Sequence, residues 1–258
     1  MQFLFQNKKI HYKVNGRGPY LLLLHGFLED STIWENLIPA LVEEYTVITI
    51  DLPGHGTSEV LAEIHSMELM AEVVISLLSD LGIKKVSVMG HSMGGYVALA
   101  IAESAPSLLQ HILLLNSRAA NDSEQQRVNR NRAIALMKTQ PSLFIKMGIS
   151  NLFSEKAQLQ FAKEIKDLQL KALQFPAEGI TANIKGMRDR KNRSDILKDF
   201  EGSKWIIAGR EDPVIPFSVS EAMANSCDCA IKILEGSHMG WLENKEQIIQ
   251  FLHLIDKF

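Results

Sequence analysis

Short runs of apolar residues alternate along the chain with longer stretches in which apolar residues recur every three or four positions. Residues 20–24 (YLLLL) are apolar throughout and lie between turn residues, which is typical of a strand buried on both faces. Seven other runs predict further strands, at residues 2–5, 10–14, 46–50, 86–89, 112–115, 205–208 and 230–234.

The stretches between these runs predict helices. Apolar residues recur at helical spacing over residues 34–41, 69–81, 96–103 and 248–255. Ser66 is the predicted N-cap of the second helix, and Gly82 is its predicted C-terminal cap. Strands that alternate with helices imply right-handed crossovers. The sequence therefore predicts an α/β fold with a mostly parallel central sheet and helices on both faces.

One segment interrupts this alternation. Residues 116–200 show helical periodicity and no convincing strand. This segment holds 16 Lys and Arg against 9 Asp and Glu, a net charge of +7, whereas the remaining residues carry a net charge of −10. We expect a core formed by residues 1–116 and 201–258, with residues 117–200 inserted as a helical lid. A basic, solvated helical surface without a lid function is the alternative.

Composition narrows the class of protein. The chain has 258 residues, of which 46% are hydrophobic and 22% charged, as in ordinary globular proteins, and this excludes a disordered or fibrous chain. A net charge of −3 gives no sign of a nucleic-acid partner. No apolar run approaches the roughly 20 residues of a membrane span. Residues 1–9 place lysines after apolar residues, the reverse of a secretory leader, so we expect a cytoplasmic protein.

A nucleophile motif lies at the end of the fifth predicted strand. The sequence Gly-His-Ser-Met-Gly, centred on Ser92, separates that strand from a predicted helix. A sharp turn at this point holds the serine backbone in a strained conformation and leaves no room for a Cβ at Gly90 or Gly94. The turn exposes the Ser92 hydroxyl at the edge of the sheet where α/β sites form. The alternative is a glycine-rich turn that contains an ordinary serine.

A serine nucleophile needs a base, and the base needs an orienting acid. Among the eight histidines, His238 is the best candidate because it lies in a loop between the last predicted strand and the last predicted helix. Asp212 follows the strand that ends at residue 208, and Glu211 is the alternative acid. A structural role for Asp212, as a turn aspartate before a proline, is also open.

Acyl transfer also needs donors for a developing oxyanion. We expect the backbone N–H groups of Met93, which follows the nucleophile, and of Phe27, which follows a glycine after the third strand, to supply them. His25 is predicted to hold this loop by hydrogen bonds. Asp51 and His55 are interpreted as parts of a structural turn, since the carboxylate cluster of a metal site is missing. We therefore expect neither a metal nor an organic cofactor.

Together these segments resemble the α/β-hydrolase superfamily. The resemblance runs from His25-Gly26 through residues 51–56 (DLPGHG) and 90–95 (GHSMGG) to Asp212 and His238. It implies the α/β-hydrolase fold, a triad of Ser92, Asp212 and His238, an oxyanion hole at Phe27 and Met93, and a helical cap that begins near residue 116.

The superfamily includes esterases, lactonases, carbon–carbon bond hydrolases, haloperoxidases, epoxide hydrolases, dehalogenases and hormone receptors, so the fold does not choose the reaction. Ser92 argues against the epoxide hydrolases and dehalogenases, which use an aspartate. Residues 25–34 resemble the menaquinone-pathway lyase. That family usually carries an arginine soon after the motif glycines, whereas here Tyr96 follows Gly95, which weakens the resemblance.

The inserted segment holds two sets of candidate substrate contacts. Four arginines could contact an anion: Arg118, Arg127, Arg130 and Arg132. Four apolar residues could form an acyl pocket, or belong to the core of the lid: Phe144, Met147, Leu152 and Phe153.

These features predict a serine hydrolase that cleaves a carboxylic ester or related acyl bond of a small molecule. A lyase or carbon–carbon bond hydrolase with the same triad is one alternative. A small-ligand sensor with low turnover is another. The sequence does not specify an oligomeric state.

Overall fold

A computed structural model describes residues 1–255 and contains one sheet. Its strands are β1 (Gln2–Phe5), β2 (Lys8–Gly16), β3 (Tyr20–Leu24), β4 (Thr46–Ile50), β5 (Val86–His91), β6 (Leu109–Leu115), β7 (Ser203–Gly209) and β8 (Ala230–Leu234). Their order across the sheet is β1-β2-β4-β3-β5-β6-β7-β8. β2 pairs antiparallel with β1 and β4, and all other neighbours pair in parallel. The predicted strands and the mostly parallel sheet are confirmed.

The central strand β3 shows why the apolar runs are continuous. Leu22 and Leu24 are fully buried in one hydrophobic cluster, and Leu21 and Leu23 are fully buried in a second cluster. Successive side chains of a strand point to opposite faces of the sheet. Since both sets of leucines are buried, both faces of the sheet are covered, as expected for a parallel sheet between layers of helices.

Twelve α-helices are described between residues 1 and 255. They are α1 (Ile38–Leu41), α2 (Met67–Asp80), α3 (Met93–Ser104), α4 (Glu124–Thr139), α5 (Pro141–Ser150), α6 (Glu155–Gln160), α7 (Ala162–Ala172), α8 (Ala177–Arg188), α9 (Ser194–Asp199), α10 (Phe217–Ser226), α11 (Gly240–Glu243) and α12 (Lys245–Ile255). The Ser66 hydroxyl accepts a hydrogen bond from the Leu69 amide at 3.1 Å, and Gly82 follows α2 with a φ of +69°. Both predicted ends of α2 are therefore confirmed.

The predicted continuous helix over residues 34–41 is wrong. The structure instead has a short 3₁₀ helix at Ser31–Trp34, followed by the single turn α1. Pro39 explains the break, because a proline inside a helix has no N–H to donate and its ring clashes with the carbonyl four residues earlier.

Helices α4–α9 all lie between β6 and β7 in the chain, and no strand occurs among them in the described residues. The segment predicted from helical periodicity is therefore helical. Within residues 1–255, no helix is both long enough and apolar enough to cross a bilayer.

Candidate active site

Chemically distinctive residues follow five parallel strands at the same edge of the sheet. Phe27 comes after β3, Ser92 after β5, Asn116 after β6, Asp212 after β7 and His238 after β8. The carboxyl ends of parallel strands share one edge, so residues far apart in the chain meet there.

Ser92 lies on a strained turn between β5 and α3. Its φ of 50° and ψ of −113° fall in a region that side-chain-bearing residues rarely adopt, at a cost of about 1–3 kcal/mol. The Ser92 amide donates to the Leu115 carbonyl at 2.9 Å, and the Ser117 hydroxyl donates to the Ser92 carbonyl at 2.7 Å. The last residue of β6 and the loop that follows it therefore hold the turn by hydrogen bonds to the backbone amide and carbonyl of Ser92.

The glycines of the motif are required by close backbone packing. A Cβ at Gly90 would collide with the backbone of Gly94 and Gly95, and a Cβ at Gly94 would collide with the carbonyl group of Leu24. The local sterics therefore require glycine at both positions, as the motif predicts.

Ser92, His238 and Asp212 form a continuous chain of hydrogen bonds. The Ser92 Oγ lies 2.9 Å from Nε2 of His238, and Nδ1 of His238 lies 2.8 Å from Oδ2 of Asp212. An ionised carboxylate only accepts, so Nδ1 carries the proton and donates to Asp212. Nε2 is then free to accept the Ser92 hydroxyl proton, which is the tautomer that a general base needs.

Asp212 is almost fully buried and well supplied with donors. Its Oδ1 accepts from the amides of Val214 at 2.8 Å and Ile215 at 2.9 Å, and its Oδ2 accepts from Nδ2 of Asn116 at 2.9 Å. Burial alone raises the pKa of Asp212. The electrostatic interaction with His238 and the surrounding hydrogen bonds lower it by more, so the pKa lies below that of an ordinary aspartate. The neighbouring Glu211, the alternative acid, is exposed.

The backbone of His238 is held from two sides. Its carbonyl accepts from Nε2 of His91 at 2.9 Å, and its amide donates to the carbonyl of Leu152, in the segment between α5 and α6, at 3.1 Å. These two bonds fix the loop that carries the imidazole.

A buried ion pair lies directly behind this site. Nδ1 of His91 is 2.9 Å from Oε2 of Glu29, and both side chains are at most 2% exposed. Glu29 also accepts from the amide of Gly26 at 2.6 Å and from Nε1 of Trp241 at 3.3 Å.

The titration of the pair follows from its geometry. Burial opposes both charges, but the attraction between them and their hydrogen bonds outweigh it. The pKa of Glu29 is therefore lowered and the pKa of His91 is raised. His91 donates through both ring nitrogens, to Glu29 and to the carbonyl of His238.

The two backbone amides expected to donate to the oxyanion lie in different segments: Met93 directly follows Ser92, and Phe27 lies in the loop after β3. Phe27 lines the cavity that contains Ser92, and Met93 is the first residue of α3. Within residues 1–255 neither amide takes part in a turn or loop hydrogen bond. Nδ1 of His25 donates to the Gly26 carbonyl at 2.7 Å and its Nε2 accepts from the Leu52 amide at 2.8 Å, so its predicted loop-holding role is confirmed.

Asp51 and His55 bind protein groups around their loop. Asp51 accepts from the amides of Ser31 and Thr57, each at 2.9 Å. The ring of His55 accepts from the Leu28 amide at 3.3 Å and contacts Phe27 edge-on. This supports the structural interpretation of the loop. In the part of the chain that the structure describes, no three His, Cys, Asp or Glu side chains are grouped as metal ligands.

A cavity of about 420 Å³ opens onto Ser92 and His238, a size within the range of small-molecule sites. Of the predicted apolar contacts, Phe144 and Leu152 line it. Met147 does not line it and is half exposed, and Phe153 is buried in the core. Of the predicted arginines, Arg118 and Arg130 line it, whereas Arg127 and Arg132 do not.

Two site residues escaped the sequence analysis. Asn116, used there only as a segment boundary, binds Asp212, and Glu29 pairs with His91. In the sequence, Asn116 stands out only as a polar residue directly after an apolar strand, and Glu29 only as a carboxylate beside apolar residues. Neither pattern indicates which residue each side chain binds.

The chain matches a known protein family. The model of the α/β hydrolase fold matches residues 19–245. An uncharacterised protein of Mycobacterium tuberculosis is 37% identical over 106 residues, which are 41% of this chain and 31% of that protein. The chain thus spans less than a third of the length of that relative.

Two other relatives align over nearly the whole chain. The (E)-2-((N-methylformamido)methylene)succinate hydrolase of Acinetobacter baylyi is 26% identical over 250 residues, covering 96% of this chain and 94% of that protein. A thermophilic esterase from Thermogutta terrifontis, solved with malate bound, superposes with a TM-score of 0.90 at 29% identity, covering 95% of this chain and 92% of that chain. These relatives are enzymes of the hydrolase class. The family match and the eight-stranded sheet together show that the chain belongs to the α/β-hydrolase fold family.

Proposed function

We propose that the protein is a serine hydrolase that cleaves a carboxylic ester or a related acyl bond of a small molecule. The observation that carries the proposal is the unbroken hydrogen-bond chain from Ser92 Oγ to His238 at 2.9 Å and from His238 to Asp212 at 2.8 Å. Two relatives, an esterase and a succinate-derivative hydrolase, support the same class of reaction.

In the proposed reaction, Ser92 attacks the carbonyl carbon while His238 takes the hydroxyl proton. The amides of Phe27 and Met93 stabilise the oxyanion of the tetrahedral intermediate. His238 then protonates the leaving alcohol, and the acyl group stays on Ser92. Water attacks this ester with His238 again acting as the base, which releases the acid and restores the serine. Asp212 remains ionised and stabilises the imidazolium.

Residues 117–200 act as a lid in this proposal. Two observations support that role: Phe144 and Leu152 of this segment line the cavity, and the carbonyl of Leu152 accepts from the amide of His238. The lid therefore shapes the acyl pocket and contacts the loop that carries the base.

The test compares Ser92→Ala with Ser104→Ala, a control serine at the exposed end of the same helix α3. Both variants and the parent are assayed on p-nitrophenyl esters, thioesters and lactones. We expect Ser92→Ala to lose about 10⁴-fold or more in kcat, because the members of such a triad act as a unit. Ser104→Ala should match the parent.

A fluorophosphonate probe provides a second readout. It should label the parent and Ser104→Ala at Ser92, as located by mass spectrometry of the digest, and leave Ser92→Ala unlabelled. Parent-level turnover by Ser92→Ala would overturn the proposal. A parent that turns over none of the panel, yet shows ligand-dependent thermal stabilisation, would indicate a sensor instead.

A further inference from the structure

Three guanidinium groups surround one buried carboxylate in the wall of the cavity. Asp122 is 3% exposed. Its Oδ1 accepts from Arg190 at 2.6 Å and from Arg118 at 2.9 Å, and its Oδ2 accepts from Nε of Arg130 at 3.2 Å. Burial raises the pKa of Asp122, but the neighbouring arginines lower it below its usual range, so the carboxylate is ionised. Three cations around one anion leave two positive charges uncompensated within the cluster.

Arg190 has a structural role in this cluster. It is buried, donates to the carbonyls of Met187 at 2.8 Å and Ala120 at 3.0 Å, and stacks over the Tyr96 ring at 4.1 Å from the centroid. These contacts account for its position, and it does not line the cavity that contains Ser92.

Arg118 and Arg130, by contrast, line that cavity. Their side chains are 15% and 27% exposed. Arg118 donates through Nη2 to Asp122 and to Gln126, and Arg130 donates through Nε to Asp122. No acceptor among residues 1–255 is bonded to Nη1 of Arg118 or to Nη1 and Nη2 of Arg130. These nitrogens remain able to donate to a molecule in the cavity.

The other ionisable groups of the cavity wall add no net charge to it. Glu29 pairs with His91, and the carboxylate of Asp212, which accepts from His238, lies behind the wall and does not line the cavity. The cluster around Asp122 is thus the source of net charge in the lining, and that charge is positive. The rest of the wall is largely apolar, including Phe27 and Phe144. A low-dielectric wall strengthens the attraction of this charge for an anion.

We propose that the cavity accepts esters that carry a second, anionic carboxylate, which Arg118 and Arg130 bind while Ser92 attacks the ester carbonyl. This inference rests on the proposed serine hydrolase function and specifies its substrate class. Guanidinium groups match carboxylates in geometry and charge, so such a substrate would be held at one end by the arginines and presented to Ser92 at the other.

The test uses a matched pair of substrates, the monomethyl and dimethyl esters of glutaric acid at pH 8. They share the scissile bond and chain length and differ in the free carboxylate. We expect the parent to favour the monomethyl ester in kcat/KM by tenfold or more. In Arg130→Gln we expect the ratio of the two kcat/KM values to fall tenfold or more, mainly through KM, because the contact is made in the ground state and the transition state alike.

Arg132→Gln is the control, since Arg132 lies on the same helix, is exposed and does not line the cavity. Its ratio should equal that of the parent. Thermal unfolding of both variants checks the fold, and the ratio itself does not depend on the fraction of active protein. A parent ratio at or below one, or an unaltered ratio in Arg130→Gln, would overturn the inference.

The outcome separates this inference from the proposed function. Ser92-dependent hydrolysis of both esters without a preference leaves the serine hydrolase standing and removes the anionic substrate class. If neither ester is turned over, calorimetry with Ser92→Ala decides the inference by binding alone. Tighter binding of the monomethyl ester, weakened by Arg130→Gln, would support it, and equal binding of the two esters would refute it.

Discussion

The side-chain amide of Asn116 donates to the same Oδ2 atom of Asp212 that His238 approaches, at 2.9 Å and 2.8 Å respectively. Asn116 adopts a φ of 46°, a left-handed conformation that asparagine and glycine tolerate better than other residues. Its amide also donates to the Ser237 carbonyl at 3.2 Å. Asn116 is therefore a positioning residue that holds the carboxylate and, through it, the imidazole.

Asn116→Gly should keep the backbone conformation and remove the hydrogen bond. A hydrogen bond to a charged group contributes about 1.5–3 kcal/mol, so we expect kcat to fall by about 10-fold to 100-fold. The matched control is Asn7→Gly, because Asn7 has a φ of 65° in the exposed turn between β1 and β2. Steady-state kinetics and thermal unfolding of both variants provide the measurement. Unchanged kcat in Asn116→Gly would refute the positioning role.

Glu29→Gln should destabilise the protein by about 3 kcal/mol, because it leaves the charge of His91 buried without its partner. Glu35→Gln is the control, since the pair between Glu35 and Lys13 is exposed and such pairs contribute at most about 1 kcal/mol. Urea unfolding of the three proteins measures the difference. A loss no larger than that of the control would contradict the ion-pair assignment.

The effect of Glu29→Gln should also depend on pH. The lowered pKa of Glu29 stabilises the fold above about pH 4.5, and this contribution is lost as the pH falls through the folded value. The raised pKa of His91 stabilises the fold fully below about pH 6.5, and this contribution is lost as the pH rises through the folded value. The difference from the parent should therefore be greatest between about pH 4.5 and 6.5 and shrink on either side.

Gly26→Ala should impair catalysis through the proposed oxyanion hole. A Cβ at Gly26 would lie 2.7 Å from Oε2 of Glu29 and 2.8 Å from Nδ1 of His91. Both atoms belong to the buried ion pair, whose hydrogen bonds hold them in place, so we expect the loop to shift and to move the Phe27 amide. Loss of one oxyanion donor lowers kcat by about 10²-fold or more, and we expect a loss of that order. Gly82→Ala is the control: its φ of +69° strains an alanine, but no atom lies within 4 Å of the added Cβ. It should lower stability and leave kcat unchanged, whereas equal kcat in both variants would argue against Phe27 as a donor.

His65 should make the fold sensitive to acid. Burial lowers its pKa from 6.5 to about 4, and its Nε2 accepts from the Leu61 amide at 3.1 Å, which requires the neutral ring. Below about pH 6.5, His65 binds a proton in the unfolded chain but stays neutral in the folded protein until the pH approaches 4. The free energy of unfolding should therefore fall by up to about 3 kcal/mol between pH 6.5 and 4. Urea unfolding across this range should show a flatter profile for His65→Gln. If the profile of His65→Gln were as steep as that of the parent, the acid sensitivity would have to come from other groups.

Local patterns determined most of the fold. Apolar runs located all eight strands because a strand buried on both faces needs apolar residues at consecutive positions, as at Leu21 to Leu24. Periodicity alone mispredicted a continuous helix over residues 34–41, because Pro39 lies in this segment and cannot donate a helical hydrogen bond. The role of the glycines around Ser92 could also be predicted from the sequence, because the turn that they allow is formed within a few residues.

The sequence by itself determined the elements and which residues follow the strands, because both depend on interactions within a few positions. It therefore predicted that Ser92, Asp212 and His238 meet at one edge of the sheet. Only the tertiary structure decided that Glu29 faces His91, 62 positions away, that Asn116 binds Asp212, 96 positions away, and that Arg130 rather than Arg132 lines the cavity. Such pairings depend on how loops and helices pack over the sheet, and buried polar groups take the partners that packing brings within reach.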